Sequence, residues 1–287
     1  MNWRYLLCVL ALLGVSPGEA APIRVVDDGG HVLELSAPPR RIVSLTPHLT
    51  ELLFAVGAGP QVVGVDSASD YPLAARRLPR VGDYGRVNLE RLLALKPDLV
   101  VVWQGGNRAA DIHALEKLGL PVLRTQATRL DDVGRLLRLV GAVTGHSRAG
   151  ETAARDFSAQ LAALGQRYAR PQPLAVFYQV WDRPLMTVGG GHWISDALAL
   201  CGARNVFGDL GAVSPVVSRE AVLKRAPDLI AGGSDAPALR EGWQMFAELP
   251  AVKKRAFVQV DADRLHRPSP RLTEGVAELC EALAPYR

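Results

Sequence analysis

The sequence predicts an α/β protein built from two similar lobes joined by a single long helix. Three observations carry this. A helix-then-strand unit occurs twice at a constant offset of 130 positions, short apolar runs alternate with capped helical stretches, and a proline-free segment separates the halves. In the repeat, Asn88 pairs with Ser218, Glu90 with Glu220, Pro97 with Pro227 and Asp98 with Asp228, without a gap. Two matching units so far apart imply two similar lobes.

In chain order, the first twenty residues read as a secretory signal peptide. Arg4 gives a positive start, Leu6 to Val15 an apolar run, and Gly18 and Ala20 the small residues before a cut after Ala20. The run is shorter than the roughly 20 apolar residues a spanning helix needs; an uncleaved anchor is the alternative. Cys8 lies mid-run without the small residues that precede a lipidated cysteine. At about 100–200 residues per domain, the rest of this 287-residue chain makes two domains. They are an N-terminal lobe over 40–146 and a C-terminal lobe over 171–287, with the connecting helix at 147–170.

Arg41 to Leu45 is an apolar strand, and Thr46-Pro47 follows as an N-cap with proline in the first helical position. The helix runs through Glu51 to Val56 and stops at Gly57. Asn88 caps the next helix with Glu90 in its first turn, where the helix dipole favours an acid. Pro97 ends it, and Leu99 to Val102 is the continuous apolar run of a strand buried on both faces. In the second half, Leu174 to Tyr178 is the matching strand, and Asp196 to Ala203 echoes Glu51 to Ala58. Alternating strands and helices give parallel sheets. Ser147 to Tyr168 is rich in Ala, Leu, Arg, Glu and Gln and makes one helix of about 20 residues, roughly 30 Å long. Such a strut between lobes allows a cleft to open only by a small angle.

Composition narrows the function. Hydrophobic residues at 48% and charged residues at 22% are ordinary globular values, so disorder is excluded. The formal charge of +4 is dispersed, with one basic triplet at Lys253-Lys254-Arg255 and no interleaved aromatics, which argues against nucleic acid. Beyond the leader only Cys201 and Cys280 remain. In an oxidising compartment an even pair reads as one disulfide, the alternative being two buried thiols.

No enzyme emerges. The pattern Gly14-Val15-Ser16-Pro17-Gly18 resembles a nucleophile elbow but falls inside the leader. The six histidines have no metal-ligand spacing, and His48, just inside a helix start, reads as a surface residue. Gly189-Gly190-Gly191 lacks a following Walker lysine and reads as a tight turn. No nucleophile, base and orienting group assemble. Neither a resident cofactor nor a bound metal is expected.

The phrases Ser69-Asp70-Tyr71-Pro72, Asn88-Leu89-Glu90-Arg91, Leu95-Lys96-Pro97-Asp98-Leu99 and Trp103-Gln104-Gly105-Gly106-Asn107 resemble those of the helical-backbone periplasmic binding proteins of metal-chelate importers. Within that family the resemblance is to the cobalamin carriers, and it runs from about Arg40 to Pro285. It implies a class III binding-protein fold with a ligand cleft between the lobes, a periplasmic location, a monomer, and a tetrapyrrole-like small molecule as ligand. The partner it implies is an ABC importer permease in the inner membrane, with Glu90 and Glu220 docking against its arginines. It also implies the Cys201–Cys280 bridge.

For the ligand site the resemblance points to Tyr84 and Trp103, with Tyr71 close by, and to a loop Asp263-Arg264-Leu265-His266-Arg267; Trp181 is another large side chain within reach of the cleft. Trp193 is a further large side chain within reach of the cleft. Ala68, Ser214 and Arg264 stand where cobalamin carriers have aromatics, which opens the ligand's identity. A corrinoid ranks first. Haem, with Tyr84 as iron ligand and Arg264 or Arg267 pairing propionates, ranks second, and a ferric siderophore third. A hydrolase-type or metal-dependent enzyme of α/β fold is the remaining alternative.

Overall fold

The computed structural model describes residues 22–83, 85–233 and 239–286. The leader and Tyr84 lie outside that range. In the N-terminal half an antiparallel hairpin, β1 (Ile23–Val26) and β2 (Val32–Leu35), precedes β3 (Ile42–Ser44), α1 (Pro47–Ala55), β4 (Val62–Val65), the short pair β5 (Gly82–Asp83) and β6 (Arg86–Val87), α2 (Leu89–Ala94), β7 (Leu99–Trp103), α3 (Ala109–Lys117), β8 (Val122–Thr125) and α4 (Asp131–Val143). Helix α5 (Ser147–Tyr168) crosses to the second half. There follow β9 (Leu174–Gln179), α6 (Trp193–Leu200), β10 (Ala203–Asn205), α7 (Arg219–Arg225), β11 (Leu229–Gly233), α8 (Pro250–Lys253), β12 (Phe257–Val260), α9 (Ala262–Leu265) and α10 (Leu272–Leu283).

Each half carries a four-stranded, all-parallel sheet, ordered β4-β3-β7-β8 in one and β10-β9-β11-β12 in the other. In both, the second strand to appear pairs with the first on one side, and the third and fourth follow on the other. The repeat extends to backbone conformation. Asn88 and Ser218 accept from the backbone N–H groups of Arg91 and Ala221, capping α2 and α7. Lys96 and Ala226, each just before the repeated proline, both take left-handed φ values, 46° and 44°. Thr46 stands at the N-cap of α1 but makes no side-chain capping bond.

The strands are covered on both faces, as parallel strands must be. Alternate residues Leu99 and Val101 face a core shared by both halves, while Val100 and Val102 face a separate cluster with Leu92 and Ile112. The shared core runs without a break from Leu52 and Leu136 through Phe157 and Leu161 of α5 to Ile194, Leu272 and Val276. Helix α5 is therefore a packed strut. It presses on α4 where a Cβ at Gly150 would come within 2.5 Å of the Leu137 carbonyl oxygen, so only glycine permits that crossing. The Cys201–Cys280 disulfide ties the end of α6 to α10.

Candidate functional site

Open α/β sheets present ligand sites beyond the carboxyl ends of their strands. Here those ends face one another across a seam. From the N-terminal lobe come the segment after β3 (Thr46 and, in the first turn of α1, His48) and the loops after β4 (Asp66 to Tyr71), after β7 (from Gln104) and after β8 (from Gln126). From the other lobe come the turn after β9 with Trp181 and the segment from Asp261 to Arg271.

Two polar clusters close the seam. Glu51 on α1, its side chain 2% exposed, accepts from Arg271 Nε and Nη2 at 2.9 and 2.6 Å, from Ser269 Oγ at 2.6 Å and from Arg267 Nη1 at 3.3 Å. Arg267 also bridges Asp70 of the first lobe at 2.7 Å and Asp263 of its own at 2.6 Å. Burial alone would raise the Asp70 carboxyl, but the Arg267 guanidinium outweighs it and holds the group below its usual range. In the second cluster Arg129 reaches Asp196 Oδ1 at 2.6 Å and the Gly190 carbonyl at 3.0 Å. The other oxygen of Asp196 accepts from Leu130 N, at the start of α4, at 3.1 Å. An acid of one lobe thus caps a helix of the other.

His48 is buried, not at the surface as its helix-start position suggests. Its ring meets Trp103 edge to face at 5.2 Å. Burial, reinforced by Arg267 across the seam, lowers its pKa to about 3, so the imidazole is neutral. In the opposite wall the Tyr178 hydroxyl lies 2.8 Å from His266 Nε2, and burial raises that phenol. His192 stacks against Trp193 at 3.9 Å and is lowered to about 3 by burial and then by His266.

The residues singled out from sequence are distributed as follows. Trp103 is half-buried at the end of β7. Trp181 is 57% exposed in the turn after β9, its indole N–H held by the Arg183 carbonyl at 3.0 Å. Tyr71 is 45% exposed with the Arg271 guanidinium 4.0 Å from its ring centre. Asp263, His266 and Arg267 lie on the seam side of the second lobe. Two others do not: Leu265 is fully buried in the shared core, and Arg264 turns toward Asp261, Glu274 and Glu278. The reason is that 263–267 is no loop. It includes most of the one-turn helix α9, whose inward face carries Ala262 and Leu265, three positions apart. Trp193 is buried as well, donating to the Leu265 carbonyl at 3.0 Å, so it does not reach the cleft. Ala68 and Ser214 are exposed. Glu90 and Glu220 are exposed in the first turns of α2 and α7.

Glu51, Asp70, Arg271 and the Arg129–Asp196 pair were not anticipated as seam residues. Glu51 alone carries a local signal, an acid embedded in the apolar run of α1. Among the described residues no group of three His, Cys, Asp or Glu side chains is placed to hold a metal ion, and no helix is long and apolar enough to cross a membrane.

Residues 42–263 match the family described as periplasmic binding protein. The chain is 37% identical over 247 residues to the vitamin B12-binding protein of Vibrio cholerae, covering 86% of this chain and 90% of that one. It is 37% identical over 256 residues to the vitamin B12-binding protein of Pectobacterium atrosepticum, with the same coverages. Among solved structures, the periplasmic vitamin B12 binding protein BtuF of Vibrio cholerae superposes with a TM-score of 0.78 at 36% identity, over 86% of this chain and 98% of that one. The periplasmic heme-binding protein RhuT of Roseiflexus superposes with a TM-score of 0.76 at 27% identity, over the same shares. With two like-ordered parallel sheets, a helical strut and a seam at their carboxyl ends, this chain belongs to the periplasmic binding protein family.

Proposed function

We propose that the protein carries a corrinoid, cobalamin or a close relative, through the periplasm to an inner-membrane ABC importer. The observation that carries this is the character of the seam. Flat side chains, Trp103 and the exposed Trp181 and Tyr71, flank it, while its arginines, Arg129, Arg267 and Arg271, are already matched to carboxylates. A broad, mostly apolar plate with a neutral amide rim suits that wall. Haem, whose propionates are anionic, finds Arg267 engaged by three acids and Arg271 by Glu51. The likeness to vitamin B12-binding proteins over most of the chain supports the same choice. Haem remains the second reading because of the likeness to RhuT and because Tyr84 is a potential phenolate ligand.

On this reading the chain is exported by a leader cleaved after Ala20, acts as a monomer without catalysis or resident cofactor, and clasps its cargo between Tyr71, Tyr84, Trp103, Trp181 and the Asp263, His266 and Arg267 wall. It then docks through Glu90 and Glu220, whose exposure in duplicated first turns leaves both carboxylates open to permease arginines.

Titration of the mature protein with cyanocobalamin and, separately, haemin tests it. One-to-one cobalamin binding with tryptophan quenching, weakened at least tenfold by Trp103→Ala, is expected. A tyrosinate–haem spectrum abolished by Tyr84→Phe, without cobalamin binding, would transfer the protein to haem carriage. Glu90→Lys with Glu220→Lys is expected to abolish uptake while leaving binding in solution unchanged; undiminished uptake would remove the docking role.

A further inference from the structure

The loop after β4 brings Asp70 and Tyr71 to the second lobe. Asp70 meets Arg267 Nη1 at 2.7 Å, and the Arg271 guanidinium lies 4.0 Å from the Tyr71 ring centre. Both side chains are half-exposed, so their own packing does little to fix them. The turn before them is gripped from two sides. On the inside, the buried Asp66 carboxylate accepts from Ser69 Oγ and, at 3.0 Å, from Ala68 N, and Thr50 Oγ1 of α1 lies 2.8 Å from the same serine hydroxyl. On the outside stands Arg80. Its Nη1 donates to the Asp66 carbonyl at 2.9 Å and to the Ser69 carbonyl at 2.8 Å, so one group holds both ends of the turn. Arg76 adds a bond from Nε to the Asp70 carbonyl at 2.9 Å. Arg80 has no carboxylate partner among the described residues; its guanidinium is committed to main-chain carbonyls. The backbone around it is itself anchored to β4, with Val65 N donating to the Pro79 carbonyl at 3.0 Å and Val81 N to the Val65 carbonyl at 2.9 Å. The clamp thus has a rigid base.

We infer that Arg80 is a positioning residue for cargo retention, setting the release rate by fixing the turn from which Asp70 reaches Arg267. This rests on the corrinoid reading and adds to it a residue that acts through the lobe contact rather than on the cargo. The residue type fits the task. A guanidinium is always charged and carries five donors in a rigid plane, so it holds two carbonyls at once at the end of a long arm. Bonds from a charged donor are also the stronger kind. Parting the lobes must break the bond between Asp70 and Arg267 while the shared core stays intact. With the turn clamped, Asp70 is already in place and the bond forms without further ordering. With the turn loose, each closure must first order that backbone, which favours the open state and lets cargo leave sooner. Arg80 is no part of the buried apolar clusters on either face of the sheet, so its removal spares the fold.

The test is stopped-flow release of cyanocobalamin from the mature protein and its variants. Arg80→Gln is expected to speed release about three- to tenfold, the worth of roughly one hydrogen bond. Asp70→Asn, which weakens the Arg267 contact directly, should speed release as well, and adding Arg80→Gln to it should change the rate by no more than about 1.5-fold. Arg77→Gln removes the same charge from the neighbouring 3-10 turn Leu73–Arg77 without touching the bonds to the loop, and should leave release unchanged. Hydrogen exchange supplies a readout that general destabilisation would not give: in Arg80→Gln the amides of Ala68 and Ser69 should exchange faster while those of β3 and β7 keep their protection. An unchanged release rate in Arg80→Gln would overturn the role. So would Arg80 and Asp70 effects that multiply independently, equal acceleration by Arg77→Gln, or protection lost in β3 and β7 alike; each leaves corrinoid carriage intact. Failure of the unmodified protein to bind cyanocobalamin would overturn that carriage and the positioning role with it.

Discussion

Glu51 is the side chain on which the seam depends most. It is buried, and its two oxygens receive Arg271, Arg267 and Ser269 from segments more than 200 positions away in sequence. Removing one partner of a buried ion pair leaves an uncompensated charge, typically at a cost of about 3–5 kcal/mol, whereas replacing the pair by apolar groups costs far less. Glu51→Ala is therefore expected to lower unfolding free energy in urea by about that amount. Glu51→Leu with Arg271→Met should lose clearly less than the sum of the two single changes; simple additivity would show that the contact is not a coupled pair. The buried histidines set a second expectation. The unfolded chain takes up protons at positions 48 and 192 near pH 6.5, and the native chain resists doing so until about pH 3. Their contribution is intact above pH 6.5 and is lost as the pH falls through that window, at up to about 1.4 kcal/mol per pH unit for each histidine. Asp66 and Asp196, raised chiefly by burial, oppose this, while Asp70 and Asp132, lowered, add to it. His48→Leu should flatten the urea-midpoint slope between pH 6 and 4, and an unchanged slope would mean that position 48 takes up its proton in the folded state.

At the scale of elements, what repeats in sequence repeats in space. The caps at Asn88 and Ser218, the proline stops, the buried strands and the 22-residue strut all lie where composition and spacing put them. These are features that a few neighbouring residues encode. Strands β1 and β2, at four residues each, are too short for alternation to stand out, and α9 is a single turn that no periodicity can announce. Arg264 and Leu265 were consequently read as ligand contacts when one leans on α10 and the other is core. The seam was less legible still. Asp70, Arg129 and Arg271 look like surface charges until folding supplies their partners, and His48 is buried against Trp103, which folding brings to it from the end of β7. The disulfide is a long-range feature that was legible, because cysteine count and compartment left little choice. It closes a separation of 79 positions, for which loop entropy corresponds to about 4–5 kcal/mol, with measured losses usually 2–5. Cys201→Ser with Cys280→Ser is expected to remain folded at 25 °C with unfolding free energy reduced by about 2–5 kcal/mol. A loss below about 0.5 would show that α6 and α10 are held by packing alone.

The two lobes behave as one body more than as two hinged halves. Their core is continuous through Phe157 and Leu161, helix α5 is packed over its length, and two polar clusters span the seam at separate places. Large closure about flexible strands is incompatible with this; ligand entry and exit must proceed through small displacements that break seam contacts and spare the core. The Arg129–Asp196 cluster is the weaker of the two. Arg129 is 54% exposed, so the ion pair itself contributes modestly, and the Asp196 bond to Leu130 N adds roughly one hydrogen bond. If cargo leaves by parting the lobes there, removing Asp196 lowers the cost of the open state without touching the ligand wall. Stopped-flow measurement of cyanocobalamin release should then show Asp196→Ala dissociating about five- to tenfold faster, with association altered far less. The same variant should leave small-angle scattering of the loaded protein unchanged, since the core and the Glu51 cluster still fix the lobes. An unchanged release rate would place the exit elsewhere, past Trp181 or the Glu51–Arg271 side of the seam, and would make the trans-lobe cap on α4 a contribution to stability alone.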